Sequence, residues 1–323
     1  LEGIAGDLSP DGEFKIMADT GQINPPKFTI ITPVLNGEKY LRGCLGDVLG
    51  FNVSDWEWII VNDGSSDGTE AVCRELAERD SRIRIVSYPV NRGRGHARNR
   101  ALAEARGEWI VILDADDHSL PTRLDYLAGV HEPDFDWLAA PVILARRGTL
   151  EVYGGRSHTD NELNRTKIKP IHPSLIVRAD VARDLGYAEC RTVGGIGEDV
   201  RFLILLSLKY RGHFHERASV LYCEDSEVNL RKALHSNAIL FRTCLQILIA
   251  HPRLVRVNDT LRTLVALVIK LTILFGMSFL PDRDVLYRRS ISRRVSSPPA
   301  TDDRLAAEEF ILARGLKRTP SVP

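Results

Sequence analysis

Four clusters of residues in this sequence have the types and spacing to do chemistry. The first is Asp114-Ala115-Asp116-Asp117, directly after the apolar run WIVIL at 109–113. Hard carboxylate oxygens suit Mg2+ or Mn2+, and a diphosphate can supply the remaining ligands. Acids crowded at a strand end repel one another unless a cation or solvent screens them. A solvated acidic turn that caps the next helix is the other reading. The second cluster is Asp63 in VNDGSSDGT at 61–69. Gly64 and Gly68 allow close backbone approach, and an ionised aspartate accepts from a base ring N–H; an Asx turn would use the same residues. The third is NRGRGHARN at 91–99, where arginines at a helix start can face phosphate or uracil carbonyls. It is not a dinucleotide fingerprint, because Arg98 stands where the third glycine belongs and the segment follows the third strand rather than the first. The fourth is Gly197-Glu198-Asp199 before an apolar helix. These acids could take a proton, or could simply complement the positive end of a helix dipole. His213 and His215 lack a third ligand and are assigned no metal, and there is no GxSxG or HExxH.

The elements that must position these clusters follow from periodicity. FTIITPV at 28–34, WEWIIV at 56–61, residues 83–88 and WIVIL at 109–113 read as buried strands. Residues 38–49, 69–79 and 95–106 read as helices between them. Strands alternating with helices imply a parallel sheet covered on both faces, with ligands bound beyond the carboxyl ends of the strands. The polar segments 32–36, 62–67, 91–95 and 114–117 all fall at those ends. The expected fold is α/β, a Rossmann-like nucleotide-binding, mostly parallel sheet flanked by helices. After Pro121 the rhythm breaks. Residues 200–210 read as a helix, 213–223 as a strand, 227–280 as largely helical and 302–316 as a last amphipathic helix. Residues 1–26 are polar and proline-punctuated and read as a flexible tail, 27–225 as one domain with halves 27–125 and 126–225, and 226–323 as a helical C-terminal region.

Composition narrows the function classes. Acids and bases balance at 43 each, so no basic field calls in nucleic acid. The five cysteines (44, 73, 190, 223 and 244) form no CxxC pair and read as free thiols of a reducing compartment, which points to the cytoplasm. LEGIAGDLSPDGEF has neither a basic n-region nor an apolar h-region, so no secretory signal is expected from it. The most apolar stretch is LRTLVALVIKLTILFGMSFL at 261–280. A lysine at its centre would cost roughly 2.5–3.5 kcal/mol on insertion. On a helical wheel Arg262, Lys270 and Ser278 share one side, opposite a wide apolar face. An amphipathic rather than a spanning helix is expected. Its apolar face would be covered by the protein's own core, by a second subunit in a homodimer, or by a membrane surface touched peripherally.

Together the four clusters resemble the inverting family-2 glycosyltransferases with the GT-A fold. The likeness is carried by FTIITPVLNGEKYL, WEWIIVNDGSSDGT, NRGRGHARNRAL, WIVILDADD with Pro121 five residues after Asp116, and GEDV. It implies a donor-binding half at 27–125 and an acceptor half at 126–225. It implies that Thr32 and Pro33 line the nucleotide pocket beside Leu35, where the family commonly has tyrosine. Asp63 would hold the uracil ring, and Asn91 and Arg98 the base or diphosphate. Asp114 and Ala115 would lie near the ribose, and Asp116 would bind Mn2+ or Mg2+. Asp199 would be the general base, with Glu198 beside it. The implied reaction moves a single sugar from a nucleotide-sugar donor, a UDP-sugar, to a hydroxyl of a glycan or lipid-linked acceptor. A processive synthase would carry QxxRW downstream, whereas the last tryptophan is Trp137. A sugar-nucleotide pyrophosphorylase would want a glycine-rich basic loop after the first strand, which TPVLNGEKY does not supply. A non-catalytic nucleotide-sugar-binding regulator or scaffold is the alternative from another class.

Overall fold

The computed structural model describes residues 6–8, 14–16, 24–146, 149–153, 171–189, 197–223, 230–253, 257–279 and 311. In chain order the strands and helices are β1 Gly6–Leu8, β2 Phe14–Ile16, β3 Phe28–Val34, α1 Glu38–Leu49, β4 Trp56–Asp63, α2 Thr69–Arg79, β5 Ile83–Tyr88, α3 Arg94–Glu104, β6 Trp109–Ile112, β7 His118–Ser119 and α4 Asp125–Gly129. They continue with β8 Trp137–Ala139, β9 Val142–Arg146, β10 Thr149–Tyr153, β11 Ile176–Arg178, α5 Ala179–Leu185, α6 Glu198–Lys209, β12 Gly212–Phe214, β13 Val220–Cys223, α7 Leu230–Ala250 and α8 Val257–Met277.

The strands β5, β4, β3 and β6 lie side by side in that order and run parallel. Every residue of the four is buried. This is why they read as near-continuous apolar runs: helices cover both faces of the sheet. Alternation divides the side chains between two cores. Phe28, Ile30, Trp58, Ile60 and Val111 pack against Leu41 and Val48 of α1 and Val72 and Leu76 of α2. Ile31, Ile59, Val61, Ile110 and Ile112 pack against Ala97 and Ala101 of α3 and Phe202 and Leu205 of α6. The sheet continues beyond β6 through β11, β8 and β12, with β11 antiparallel to both its neighbours. A smaller sheet has the order β10-β9-β13-β7.

Two expectations are corrected. The flexible tail expected over 1–26 contains β1 and β2, which pair antiparallel, and β2 continues the sheet beside β5 with Phe14 opposite Ser87. The free N–H and C=O groups along β5 would otherwise form an open edge, and β2 pairs with them. The single strand expected over 213–223 is two strands. β12 pairs with β8 in the large sheet and β13 with β9 in the small one. The exposed Glu216 and Arg217 lie between them. The segment they pair with, β8 to β9, also changes sheet, between Ala139 and Val142, and the two crossings are pinned by His215 N–H to Ala139 O at 2.8 Å and Ser219 N–H to Pro141 O at 3.2 Å.

The C-terminal helices α7 and α8 form an antiparallel hairpin in which Leu230 and Ala233 meet Leu274 and Met277. Packing of α7 onto the start of α6 is tight: a Cβ on Gly197 would lie 2.8 Å from Ile239 Cγ2. The helix expected over 302–316 lies outside the described residues except for Ile311, which is helical and buried.

Candidate active site

The rim at the carboxyl ends of β3 to β6 is built from loops that hold one another. Asn36, at φ 52°, accepts the Ser66 N–H on its Oδ1 at 2.9 Å, while its own N–H donates to Ser65 Oγ at 2.9 Å. Gly37 N–H donates to Thr69 Oγ1 at 2.9 Å. These bonds fasten the β3–α1 loop to the β4–α2 loop. Leu35 stands exposed on this rim at 46%. Thr32 and Pro33, expected to line a nucleotide pocket, are buried in β3, and the Thr32 hydroxyl accepts the Trp58 indole N–H at 2.9 Å.

Asp63 ends β4 and is 3% exposed. Its two oxygens accept the N–H groups of Arg92 and Gly93, each at 2.8 Å. Burial pushes its carboxyl above the ordinary range against those two bonds. The contact is therefore a long-range clamp on the β5–α3 loop rather than a local Asx turn. Gly64 makes the clamp possible. It sits at φ +73°, and a Cβ there would lie 2.4 Å from Asn91 N. Asn91 itself is exposed beside it.

The acidic loop after β6 assigns its three carboxylates to different environments. Asp114 Oδ1 accepts Arg98 Nη2 at 2.8 Å. Burial would raise the Asp114 carboxyl, but the Arg98 charge and hydrogen bond prevail and hold it at about 2. Asp117 is 2% exposed, and burial together with Asp114 and Asp116 pushes its carboxyl well up. Asp116 is exposed at the rim. One paired acid, one buried acid and one exposed acid resolve the repulsion that the bare sequence posed. The exposed carboxylate is a hard oxygen donor that fits a divalent cation whose remaining ligands come from a diphosphate and water. Among the described residues no group of three His, Cys, Asp or Glu side chains is placed to hold a metal by itself.

Arg98 joins this loop to the acids before α6. Its guanidinium is 1% exposed and also donates through Nη1 to Glu198 Oε1 at 3.1 Å. Its guanidinium is thus taken up by Asp114 and Glu198. Arg94, one helical turn earlier on the same face of α3, lies 3.3 Å from the same Glu198 oxygen and is 59% exposed. Arg94 is thus the guanidinium at the rim. Glu198 Oε2 is buried without a hydrogen-bond partner. Asp199 is half-buried in the first turn of α6, with Oδ1 accepting the Val200 N–H at 2.7 Å.

Two residues here carried no signal in the sequence. His172 and Tyr187 are joined by a hydrogen bond of 2.9 Å between Nε2 and the phenol oxygen. Tyr187 stacks on Phe202, with centroids 4.4 Å apart, and lies under the Arg98 guanidinium. Burial first, and then the Arg98 charge, pull the His172 imidazole down to about 4, so it is neutral at pH 7. Asn99 holds this layer in place by accepting the Tyr187 N–H at 2.7 Å and donating to its carbonyl at 2.9 Å. A lone histidine in a loop has no spacing rule to announce it; only the fold brings it beside Arg98.

Comparison with known proteins agrees with this architecture. Residues 29–178 match the model of "Glycosyl transferase family 2". An uncharacterised glycosyltransferase of Methanocaldococcus jannaschii is 29% identical over 180 residues, 52% of this chain and 61% of its own length. The chain thus spans about three-fifths of that relative. Residues 1–349 of Staphylococcus aureus TarS, in complex with UDP-GlcNAc, superpose with a TM-score of 0.54 at 20% identity, covering 75% of this chain and 71% of that one. The mannosyltransferase PcManGT of Pyrobaculum calidifontis, in complex with GDP-Man and Mn2+, gives 0.53 at 18% identity over 97% and 90%. These likenesses establish the GT-A fold.

Proposed function

We propose that this chain, whose residues 29–178 belong to glycosyl transferase family 2, transfers a single sugar from a UDP-sugar to an acceptor hydroxyl with inversion. The observation that carries the proposal is the Arg98 bridge. It ties the acidic loop at 114–117 to the acid pair 198–199 across the molecule, so a donor and a proton acceptor share one site. The exposed Leu35 gives the base an apolar wall, with Asp63 and Asn91 beside it. Asp116 would hold Mn2+ or Mg2+, which when bound supplies positive charge to the departing diphosphate. The exposed Arg94 adds a second positive group at the same edge.

In the reaction Asp199 takes the proton of the acceptor hydroxyl. The acceptor oxygen bonds to the anomeric carbon from the face opposite the diphosphate. The bond to the diphosphate breaks, and its electron pair leaves with the nucleotide. Glu198, fixed by Arg94 and Arg98, keeps the first turn of α6 facing the donor. The acceptor is a glycan or a lipid-linked sugar, reached at the cytoplasmic face where nucleotide sugars are available. The test is release of UDP or GDP from a panel of nucleotide sugars with Mn2+, paired with thermal shift for each donor. A tightly bound donor raises the melting temperature. Binding of a donor with no hydrolysis or transfer under any condition would favour the non-catalytic regulator or scaffold instead.

A further inference from the structure

The hairpin of α7 and α8 carries an apolar face that nothing among the described residues covers. On α8, Val265, Val268, Ile269, Ile273 and Phe275 are exposed by 50, 48, 56, 58 and 60%, and Phe279 in the turn that follows by 73%. Thr272 and Gly276, at the helical spacings between them, are exposed as well. The face is therefore continuous and uncharged. Its opposite side is anchored inward by Leu264, Leu267 and Leu274, and Lys270 is only partly exposed on that flank. Five large apolar side chains on one exposed helix face, with Phe279 just beyond its end, exceed the scattered singles that a protein surface carries without consequence.

Charge identifies what covers the face. Residues 230–279 hold seven Lys and Arg (Arg231, Lys232, Arg242, Arg253, Arg256, Arg262 and Lys270) against one acid, Asp259, in a chain whose total charge is zero. Arg231, Arg242 and Arg253 are exposed. Two such hairpins meeting face to face would bring like charges together. An anionic lipid surface would instead attract them while taking up the apolar face. We propose that the α7–α8 hairpin docks on an anionic membrane surface, with the exposed face of α8 lying in the interface plane and entering it by about 5–10 Å.

The geometry favours lying on the membrane over crossing it. By length and composition the window Ala233–Ala250 of α7 could cross a membrane. However, α7 carries the exposed Arg242 in mid-helix and packs through Ile239 and Thr243 onto Gly197. The apolar stretch of α8, Leu264–Met277, spans about 21 Å, short of the ~30 Å hydrocarbon core. The same packing sets the hairpin beside Glu198 and Asp199. Docking would thus hold the proton-accepting end of the site close to the lipid surface, where a lipid-linked acceptor would present its hydroxyl. This last step rests on the proposed glycosyl transfer, but the docking does not.

The test is flotation of the purified chain, without donor or acceptor, with phosphatidylcholine vesicles and with vesicles of equal parts phosphatidylcholine and phosphatidylglycerol. Recovery with the anionic vesicles should exceed that with neutral ones at least tenfold and fall in high salt. Ile269→Ser/Ile273→Ser/Phe275→Ser should abolish it while leaving the melting temperature and donor hydrolysis unchanged, since all three side chains are exposed. Arg242→Glu/Arg253→Glu, which leaves the apolar face intact, should lose the preference for anionic lipid. A monodisperse monomer that ignores both vesicle types overturns the proposal. So does a stable dimer that the triple substitution dissociates and that does not float. Because no donor is present, flotation without glycosyl transfer, or the reverse, separates this proposal from the function proposed above.

Discussion

Replacing Arg98 by methionine keeps an unbranched side chain of similar length and removes the charge that joins Asp114 to Glu198. The wild-type geometry sets the size of the effect. Arg98 is 1% exposed and donates at 2.8 Å to Asp114 and 3.1 Å to Glu198. Removing one member of a buried ionic network costs ~3–5 kcal/mol, because the remaining charges lose their partner. Asp114 gives an independent figure. Its carboxyl is held at about 2 against an ordinary 3.8, worth about 2 kcal/mol of folding stability. Asp114 is 22% exposed, so solvent takes up part of the loss and the lower end, about 3 kcal/mol, is expected. Over a chain of 323 residues that corresponds to a fall in Tm of roughly 4–5 °C. The sign of the pH dependence follows from the depressed carboxyl. The Arg98–Asp114 contribution is complete above pH 3.8 and is lost as pH falls through about 2. In Arg98→Met, burial acts on Asp114 with only the pull of His172 and Arg94 left against it, so its carboxyl rises. The stability gap between wild type and variant should therefore be widest near neutral pH and narrow below pH 4. Arg98→Lys should restore part of the stability but not the two-sided bridge, so kcat should stay low while the donor KM returns toward wild type. Urea unfolding at several pH values and steady-state donor hydrolysis measure both. An Arg98→Met protein as stable and as active as wild type would refute the reasoning.

Other expected outcomes follow from the same site. Asp199→Asn should lower turnover by ~10² or more while donor affinity, read by calorimetry, changes only a few-fold; loss of donor binding instead would make Asp199 a donor ligand or a structural residue. Asp116→Ala should remove the Mn2+-dependent part of donor binding, and full wild-type activity in excess chelator would contradict the role given to Asp116. His172 is pulled down from 6.5 to about 4, so it opposes folding as soon as the unfolded chain can protonate it. Its contribution is complete above pH 6.5 and is lost progressively as pH falls toward 4, by about 3 kcal/mol in all. His172→Gln should flatten the stability curve over that interval; an unchanged slope would show that the imidazole does not titrate there.

How much of this was legible in advance depends on the range of the interaction involved. Local periodicity placed β3, α1, α2 and β5 at their observed bounds, because an apolar strand buried on both faces and an amphipathic helix are written within a few residues. The order of polar clusters along the chain identified the rim, since parallel strands bring all their carboxyl ends to one edge. Local reading does not reveal that Thr32 and Pro33, near a strand end in sequence, are buried inside the central strand in space. Nor does it separate the buried Arg98 from the exposed Arg94, because an exposed and a buried arginine look alike in one dimension. The pairing of Arg98 with Glu198 spans 100 residues, the clamp from Asp63 to Gly93 spans 30, and His172 reaches Tyr187 across 15. The sequence alone determined which residue types were available and which strand ends would carry them. Only the tertiary structure decided which carboxylate is paired, which is buried and which faces solvent. Those states depend on burial and on the nearest opposite charge, and both are set by contacts between segments with no fixed spacing along the chain.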